Sequence, residues 1–115
     1  MSLRAYPKLA RKLRSRDYRD AFVSANVRHA IAHQIRTLRE QRNWSQQQLG
    51  ERMSKPQNVV SRLESPDYGK VTIQTLLSVA AAFDVGLIVE FVPFTRFISS
   101  ATDTRARFQP VLGFE

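Results

Sequence analysis

The sequence predicts a mainly α-helical fold that is followed by one β-strand. Three observations lead to this prediction. Apolar residues recur at three- and four-residue intervals over much of residues 17–83, which is the spacing of one face of an α-helix. Serine, threonine and proline stand where such helices would begin. A short run rich in β-branched and aromatic residues, 87–92, then has the composition of a strand.

Length and composition favour one small domain with a polyanionic partner. The chain has 115 residues, of which 43% are hydrophobic, enough for a modest core. It has no cysteine, which excludes a disulfide framework, a cysteine-based zinc site and a thiol nucleophile. Lysine and arginine outnumber aspartate and glutamate by 18 to 10, a net charge of +8. Such an excess favours nucleic acid, an anionic membrane or an acidic protein as partner.

Nothing in the sequence predicts export or a membrane span. The N-terminus is basic, but no apolar stretch follows it, so it does not resemble a secretory signal. Residues 76–94 are apolar and about long enough to cross a bilayer. They contain Asp84 and Glu90, which are costly in lipid, and Gly86 interrupts them. We therefore expect no membrane contact and a cytoplasmic, nucleoid-associated protein.

The positive charge is concentrated at the N-terminus. Residues 1–20 carry seven basic and two acidic side chains, whereas residues 21–92 carry eight and six. This basic arm either contacts DNA, in a minor groove or along phosphates, or is a solvated or protein-bound tail. Its basic residues are Arg4, Lys8, Arg11, Lys12, Arg14, Arg16 and Arg19.

Residues 17–43 have a helical pattern, with Ile31, Ile35 and Leu38 at four- and three-residue intervals. Ser24 and Asn26 are mediocre helix formers and good caps, so the pattern leaves open one helix or two. We expect Trp44, which follows, to fill the core rather than stack on bases.

A short helix, a tight turn and a second short helix come next. Ser45 and Gln48 have the spacing of a capping box, which predicts a helix over residues 46–53. Residues 54–56 form the turn, and Pro56 suits the first turn of a helix that runs to about Glu64. Val60 and Leu63 are its expected buried pair.

Thr72 is a candidate cap for a further helix. Its expected apolar stripe consists of Ile73, Leu76, Leu77, Ala80 and Phe83. Framed by longer apolar helices, the two short helices predict a helix-turn-helix arrangement. In such a motif the second helix lies in the DNA major groove, where glutamine and asparagine pair with adenine and arginine pairs with guanine.

The chain resembles the lambda-repressor-like, Xre-type helix-turn-helix family over residues 26–85. The resemblance is carried by Ile35, Arg36, Leu38, Arg39, Trp44, Ser45, Gln46, Leu49, Gln57, Val60, Ser61, Arg62, Leu63, Glu64, Thr72, Thr75, Leu76 and Ala80. It implies a five-helix bundle, here with an extra N-terminal helical segment.

The resemblance also implies roles for individual residues. Arg39 and Glu64 match a pair that forms a buried salt bridge and holds the recognition helix. Base or phosphate contacts are expected from Gln46, Lys55, Gln57, Asn58, Val59, Ser61 and Arg62.

Two positions depart from the family pattern. Gly50 replaces the common alanine at the contact of the two short helices, and Ser54 replaces the glycine of the turn. Because the turn residue takes a left-handed conformation, serine there is expected to cost some strain.

The strand after the last helix is similar to that of HipB-type antitoxins, in which two protomers pair such strands. Leu87, Val89 and Phe91 would share one face, and pairing across a two-fold axis would form a dimer. Pairing within the chain, with residues 108–112, is the alternative, although Pro110 argues against a long ladder.

The sequence therefore predicts a sequence-specific transcriptional regulator, bacterial or phage and most simply a repressor. It would act as a homodimer on an inverted-repeat operator in double-stranded DNA. The alternative is an antitoxin that neutralises a protein partner through the N-terminal arm or C-terminal tail. We expect no enzyme activity, no cofactor and no metal site, since His29 and His33 have no third ligand nearby.

The expected division of the chain has four parts. They are an N-terminal arm (1–25), the DNA-binding domain (26–85), a dimerisation strand (86–93) and a C-terminal tail (94–115).

Overall fold

Six α-helices make up most of the computed structural model, which describes residues 3–103 and Gly113. A short 3-10 turn, Leu3–Ala5, precedes them. The helices are α1 (Pro7–Lys12), α2 (Arg16–Gln41), α3 (Gln46–Met53), α4 (Gln57–Leu63), α5 (Ile73–Phe83) and α6 (Phe94–Thr102). The predicted helical class is confirmed. Among the described residues, no helix is long and apolar enough to cross a membrane.

Helix α2 is one continuous helix of 26 residues, which settles the alternative that the sequence left open. The Ser15 side chain caps its start by accepting from the Tyr18 amide. Asn26 does not break the helix, because its Nδ2 donates to the Phe22 carbonyl one turn earlier at 2.8 Å. At about 1.5 Å per residue, α2 is about 39 Å long and extends well beyond the expected domain start.

The predicted caps of α3 and α5 are both present. The Gln48 amide donates to Ser45 Oγ, and the Ser45 amide donates to Gln48 Oε1, which completes the capping box. Thr72 Oγ1 accepts from the Thr75 amide at the start of α5. These local hydrogen bonds fix where both helices begin.

The main core lies where α2, α3, α4 and α5 meet. Its buried members are Ile35, Leu38, Leu49, Met53, Val60, Leu63, Val79 and Phe83. Leu49 and Val60 are completely buried. Trp44 packs against this core as expected, with its ring stacked on that of Phe83 at 5.4 Å between centroids.

Helix α5 turns a different face to the core from the one expected. Ile73 and Leu77 are 55% and 48% exposed, whereas Val79, Ala80 and Phe83 are buried. The expected stripe is therefore wrong at its first and third members. Because α5 is apolar on most sides, spacing alone does not select the side that packs.

A second, aromatic cluster joins α6 to the N-terminal half of α2. The Phe22 and Phe97 rings meet edge to face at 6.1 Å, and Phe94 lies 6.0 Å from Phe97. Ile98, the residue that follows Phe97, is buried. Phe97 thus docks α6 on α2, and Phe94 packs beside it.

The predicted strand over residues 86–93 is not observed. These residues form neither helix nor strand, and no strand occurs within residues 3–103. Leu87, Val89 and Phe91 are all exposed. A strand requires a neighbour to share its hydrogen-bond ladder, and no described segment supplies one. The intrachain alternative, residues 108–112, falls outside the described part.

Candidate nucleic-acid interface

The α3–α4 motif is held together by an unusually close backbone approach. The Lys55 amide donates to the Gly50 carbonyl at 2.8 Å, and a Cβ on Gly50 would lie only 2.7 Å from the Lys55 carbonyl oxygen. Glycine at position 50 therefore lets the turn lie directly on α3. Ser54 adopts φ 56° and ψ 41°, the left-handed conformation that the family pattern implied.

A chain of polar contacts links the core to the outer surface of α4. Arg39 Nε and Nη2 donate to Glu64 Oε2 and Oε1 at 2.6 and 2.9 Å. Gln46 Nε2 donates to Glu64 Oε1, and Gln57 Nε2 donates to Gln46 Oε1, both at 3.3 Å. The Gln57 side chain, at the start of α4, is thus positioned through Gln46 by a two-pronged ion pair.

This ion pair is largely sequestered from solvent, with side-chain exposures of 13% for Arg39 and 5% for Glu64. The hydrogen bond to Glu64 raises the pKa of Arg39 further above its ordinary value, against the opposing effect of burial. Arg39 Nη1 also donates to the Trp44 carbonyl at 2.9 Å. The pair therefore ties together α2, the α2–α3 connection and the end of α4.

Helix α4 separates its buried and exposed residues cleanly. Val60 and Leu63 face the core, and Val59 is half-buried. Gln57, Asn58, Ser61 and Arg62 are exposed, as is Lys55 in the turn before the helix. The outer face of α4 thus presents two amides, a hydroxyl and a guanidinium. Amide, hydroxyl and guanidinium groups are the types of side-chain group that pair with base edges and phosphate oxygens in protein–DNA complexes.

Sequence reasoning missed a cleft beside the C-terminal end of α4. Arg62 shares it with Tyr68 and Lys70 from the α4–α5 loop and with Thr75 from α5. Two cations and two hydroxyl groups suit a phosphate oxygen. Lys70 could have been identified from the sequence as a candidate phosphate contact, because it is a basic residue in the loop that follows α4.

The basic arm is helical rather than irregular over its described residues. It comprises the turn at Leu3–Ala5, α1 and the first turns of α2. Arg19 Nη1 bonds the carbonyls of Leu13 and Arg14, at 2.9 and 3.1 Å, and so fixes the junction of α1 and α2. The other basic side chains of the arm are exposed.

The two histidines lie on α2, and His33 Nε2 is 3.4 Å from Thr37 Oγ1. Within the described part of the chain, no three histidine, aspartate or glutamate side chains come together as metal ligands would.

Comparison with known proteins agrees with this geometry. A helix-turn-helix family model matches residues 35–88, a range that contains α3, α4 and α5 entirely. No curated protein and no solved structure matches the chain. With the capped α3, the left-handed turn and the ion pair behind α4, residues 35–88 belong to the lambda-repressor-like, Xre-type family of helix-turn-helix DNA-binding domains.

Proposed function

We propose that this protein is a transcriptional regulator that binds a specific DNA sequence through α4 and acts as a homodimeric repressor. The observation that carries the proposal is the contact chain from Arg39 through Glu64 and Gln46 to Gln57. It holds a polar side chain in place at the start of α4 before DNA is bound. Preorganisation of this kind lowers the entropy lost on binding.

The roles of the exposed groups follow from their chemistry. Gln57 and Asn58 pair with adenine, Arg62 pairs with guanine, and Ser61 bonds a base edge or a phosphate. Val59 contacts a thymine methyl group. Gln46 and Lys55 contact phosphates beside the α3–α4 turn, and the cleft at Lys70 accepts a further phosphate. The phosphate contacts set the position of α4, and the base contacts select the sequence.

The exposed apolar surface after α4 supports a homodimer. Ile73 and Leu77 on α5 and the segment at residues 87–91 place large apolar side chains in water, and Ile88 is 86% exposed. Exposed apolar groups of this extent are typical of protein interfaces. A two-fold dimer would cover them and present two recognition helices to half-sites about one DNA turn apart.

This proposal assigns a task to each part of the chain. The domain of residues 26–85 recognises DNA, residues 86–93 contribute to the dimer, and residues 94–115 follow as a tail whose α6 packs on α2. Residues 1–25 form a basic helical extension.

The first test is selection from a randomised duplex library at about 150 mM salt, close to physiological ionic strength. The wild-type protein should enrich an inverted repeat. Gln57→Ala combined with Asn58→Ala should lose this enrichment while remaining folded. The matched control, Gln34→Ala with Gln41→Ala, removes two exposed amides from α2 and should select the same repeat.

Three results would contradict the proposal. Enrichment of no sequence by the wild-type protein would exclude specific recognition. An unchanged repeat with the α4 variant would place recognition elsewhere. Selection of a single half-site by a monomeric protein would support specific DNA binding but contradict the homodimer.

A further inference from the structure

Within residues 3–103, the densest group of basic side chains lies away from α4. We call it the N-terminal basic surface. It consists of Lys8, Arg11 and Lys12 on α1 with Arg14 and Arg16 at the junction with α2. All five side chains are exposed. Asp17 and Asp20 follow them on α2, but no ion pair between described residues involves any of the five.

This surface is held by the fold rather than carried on an irregular tail. Lys8, Arg11 and Lys12 have the i, i+3, i+4 spacing that places side chains on one face of α1. Leu13, at the end of α1, is buried. Arg19 Nη1 donates to the carbonyls of Leu13 and Arg14, two consecutive residues of the α1–α2 connection. The cations are therefore presented with little conformational freedom left to lose in the backbone.

Helix α2 connects this surface to α4, since its C-terminal end contacts α4 and its N-terminal end carries the basic side chains. Arg39, near the C-terminal end of α2, contacts Glu64 at the end of α4. Further back along α2, Arg28 lies against Gly69 in the α4–α5 loop, where a glycine Cβ would be 3.5 Å from Arg28 Nη1. Arg16 begins α2 12 residues before Arg28, about 18 Å further along the same axis.

The helix-turn-helix domain itself carries little net positive charge. Residues 21–92 carry eight basic and six acidic side chains. Arg39 and Arg36 are each paired with a glutamate. Phosphate contacts supply much of the affinity of DNA-binding proteins, by release of condensed counterions. Residues 1–20, which contain the N-terminal basic surface, therefore hold +5 of the net charge of +8, against +2 for residues 21–92.

We infer that the N-terminal basic surface binds the phosphate backbone of the duplex on the outer flank of the sequence contacted by α4. The inference rests on the proposed function, since α4 must first place the DNA. The contact is independent of base sequence, because point charges on α1 meet only phosphates. It extends the protected DNA beyond the recognised half-site and increases affinity without changing selectivity.

The test compares a charge-removing variant with a charge-keeping control. The variant is Lys8→Gln, Arg11→Gln and Lys12→Gln, and the control is Lys8→Arg, Arg11→Lys and Lys12→Arg. Glutamine, lysine and arginine have similar helix propensities, so α1 should persist in both. Arg36→Gln, far along α2, measures the effect of lower net charge alone.

Binding is measured by fluorescence anisotropy over a range of salt concentrations with three probes. They are the selected operator alone, the operator with about one helical turn of DNA added on each side, and a random-sequence duplex of the longer length. The quantity compared is the slope of the logarithm of the binding constant against the logarithm of salt concentration. On the longer operator, this slope should be shallower for the triple glutamine variant by up to about 2.7 per protomer, about 0.9 for each lost phosphate contact. On the trimmed operator it should match wild type.

Several results would overturn the inference. An equal salt slope for variant and wild type on the longer operator would exclude a phosphate contact. The surface would then be assigned to an acidic protein partner. A loss one third as large in Arg36→Gln, which removes one charge instead of three, would reduce the effect to net charge. If the wild-type protein prefers no sequence, the proposed function fails, yet the random duplex still reports whether this surface binds phosphates.

Discussion

The outer face of α4 and the segment at residues 86–93 are both exposed, but they differ in what supports them. Behind α4 lie the buried side chains of Val60 and Leu63 and the Arg39–Glu64 pair. The segment at 86–93 has apolar side chains, yet Ile88 and Phe91 have almost no protein surface against them. One surface is polar and fixed by the core, whereas the other is apolar and uncovered. A surface that is fixed before binding suits recognition, and one that is uncovered suits association.

The largest expected effect comes from removing the anchor of α4. Glu64→Ala leaves Arg39 buried without its partner, so the free energy of unfolding should fall by about 3–5 kcal/mol. Urea denaturation followed by circular dichroism measures this loss. The control is Glu40→Ala, because Glu40 forms an exposed ion pair with Arg36 on the same helix and should matter little. Equal losses in the two variants would mean that the buried pair is not the anchor.

Core support is tested by Leu49→Ala. Leu49 is completely buried between α3 and its neighbours, so its truncation should cost about 2–5 kcal/mol in thermal or urea unfolding. Ile88→Ala, in the uncovered segment, should change the stability of the monomer by less than about 0.5 kcal/mol. If Ile88→Ala were comparably destabilising at low protein concentration, residues 86–93 would have to pack within the single chain.

Gly50, in the supported α3–α4 motif, and Gly86, in the uncovered segment, allow the same substitution to be compared in both regions. A Cβ at Gly50 would lie 2.7 Å from the Lys55 carbonyl oxygen, whereas a Cβ at Gly86 meets nothing within 4 Å. Gly50→Ala should therefore destabilise the domain by about 1–3 kcal/mol, through displacement of the α3–α4 turn. Gly86→Ala should be neutral or stabilise by up to about 1 kcal/mol, since it restricts the unfolded chain. Thermal unfolding of both variants measures the two changes in stability, and equal changes would contradict the close approach at Gly50.

Association and recognition should separate by substitution. Phe91→Asp should shift the protein from dimer to monomer in sedimentation experiments and leave the helical circular dichroism signal unchanged, since Phe91 is fully exposed. Ser61→Asp, on the outer face of α4, should keep the dimer and weaken DNA binding by repulsion from phosphates. A Phe91→Asp protein that sediments as wild type would exclude this segment from the interface.

The smallest effect concerns the exposed pair on α2. The hydrogen bond from Arg36 holds the pKa of Glu40 below its ordinary value of 4.5. Because the folded-state pKa is the lower one, the pair stabilises the protein above pH 4.5, and this contribution is lost as pH falls through the folded-state value. Arg36→Gln should therefore be slightly less stable than wild type at pH 7, and this difference should shrink as the pH falls below 4.5. A constant difference across this range, in urea titrations, would contradict the assignment.

The features that the sequence predicted correctly are local ones. The capping box at Ser45 and Gln48 and the exposed face of α4 depend on residues within one or two helical turns, so spacing determines them. The Arg39–Glu64 contact joins residues 25 positions apart, and only the family resemblance suggested it. Spacing did not select the packed side of α5, and it missed Tyr68 and Thr75, because both depend on how α5 and its loop lie against α4.

The strand at 86–93 shows the other limit of sequence reasoning. The residue types in this segment favour a β-strand. A strand also needs a neighbouring strand for its backbone hydrogen bonds, and the residue types do not show whether one is present. The continuity of α2 through Asn26 was equally open, because the same amide that caps a helix also bonds a carbonyl within one.

Trp44 gives this molecule a built-in optical reporter. It is the only tryptophan in the chain, and its indole lies between the Phe83 ring at 5.4 Å and the Arg52 guanidinium at 4.0 Å. Its carbonyl also accepts from Arg39. Trp44 thus contacts α3 and α5 through its indole and α2 through its carbonyl. Its emission will change when any of the three separates, so the integrity of the whole domain can be followed without a label.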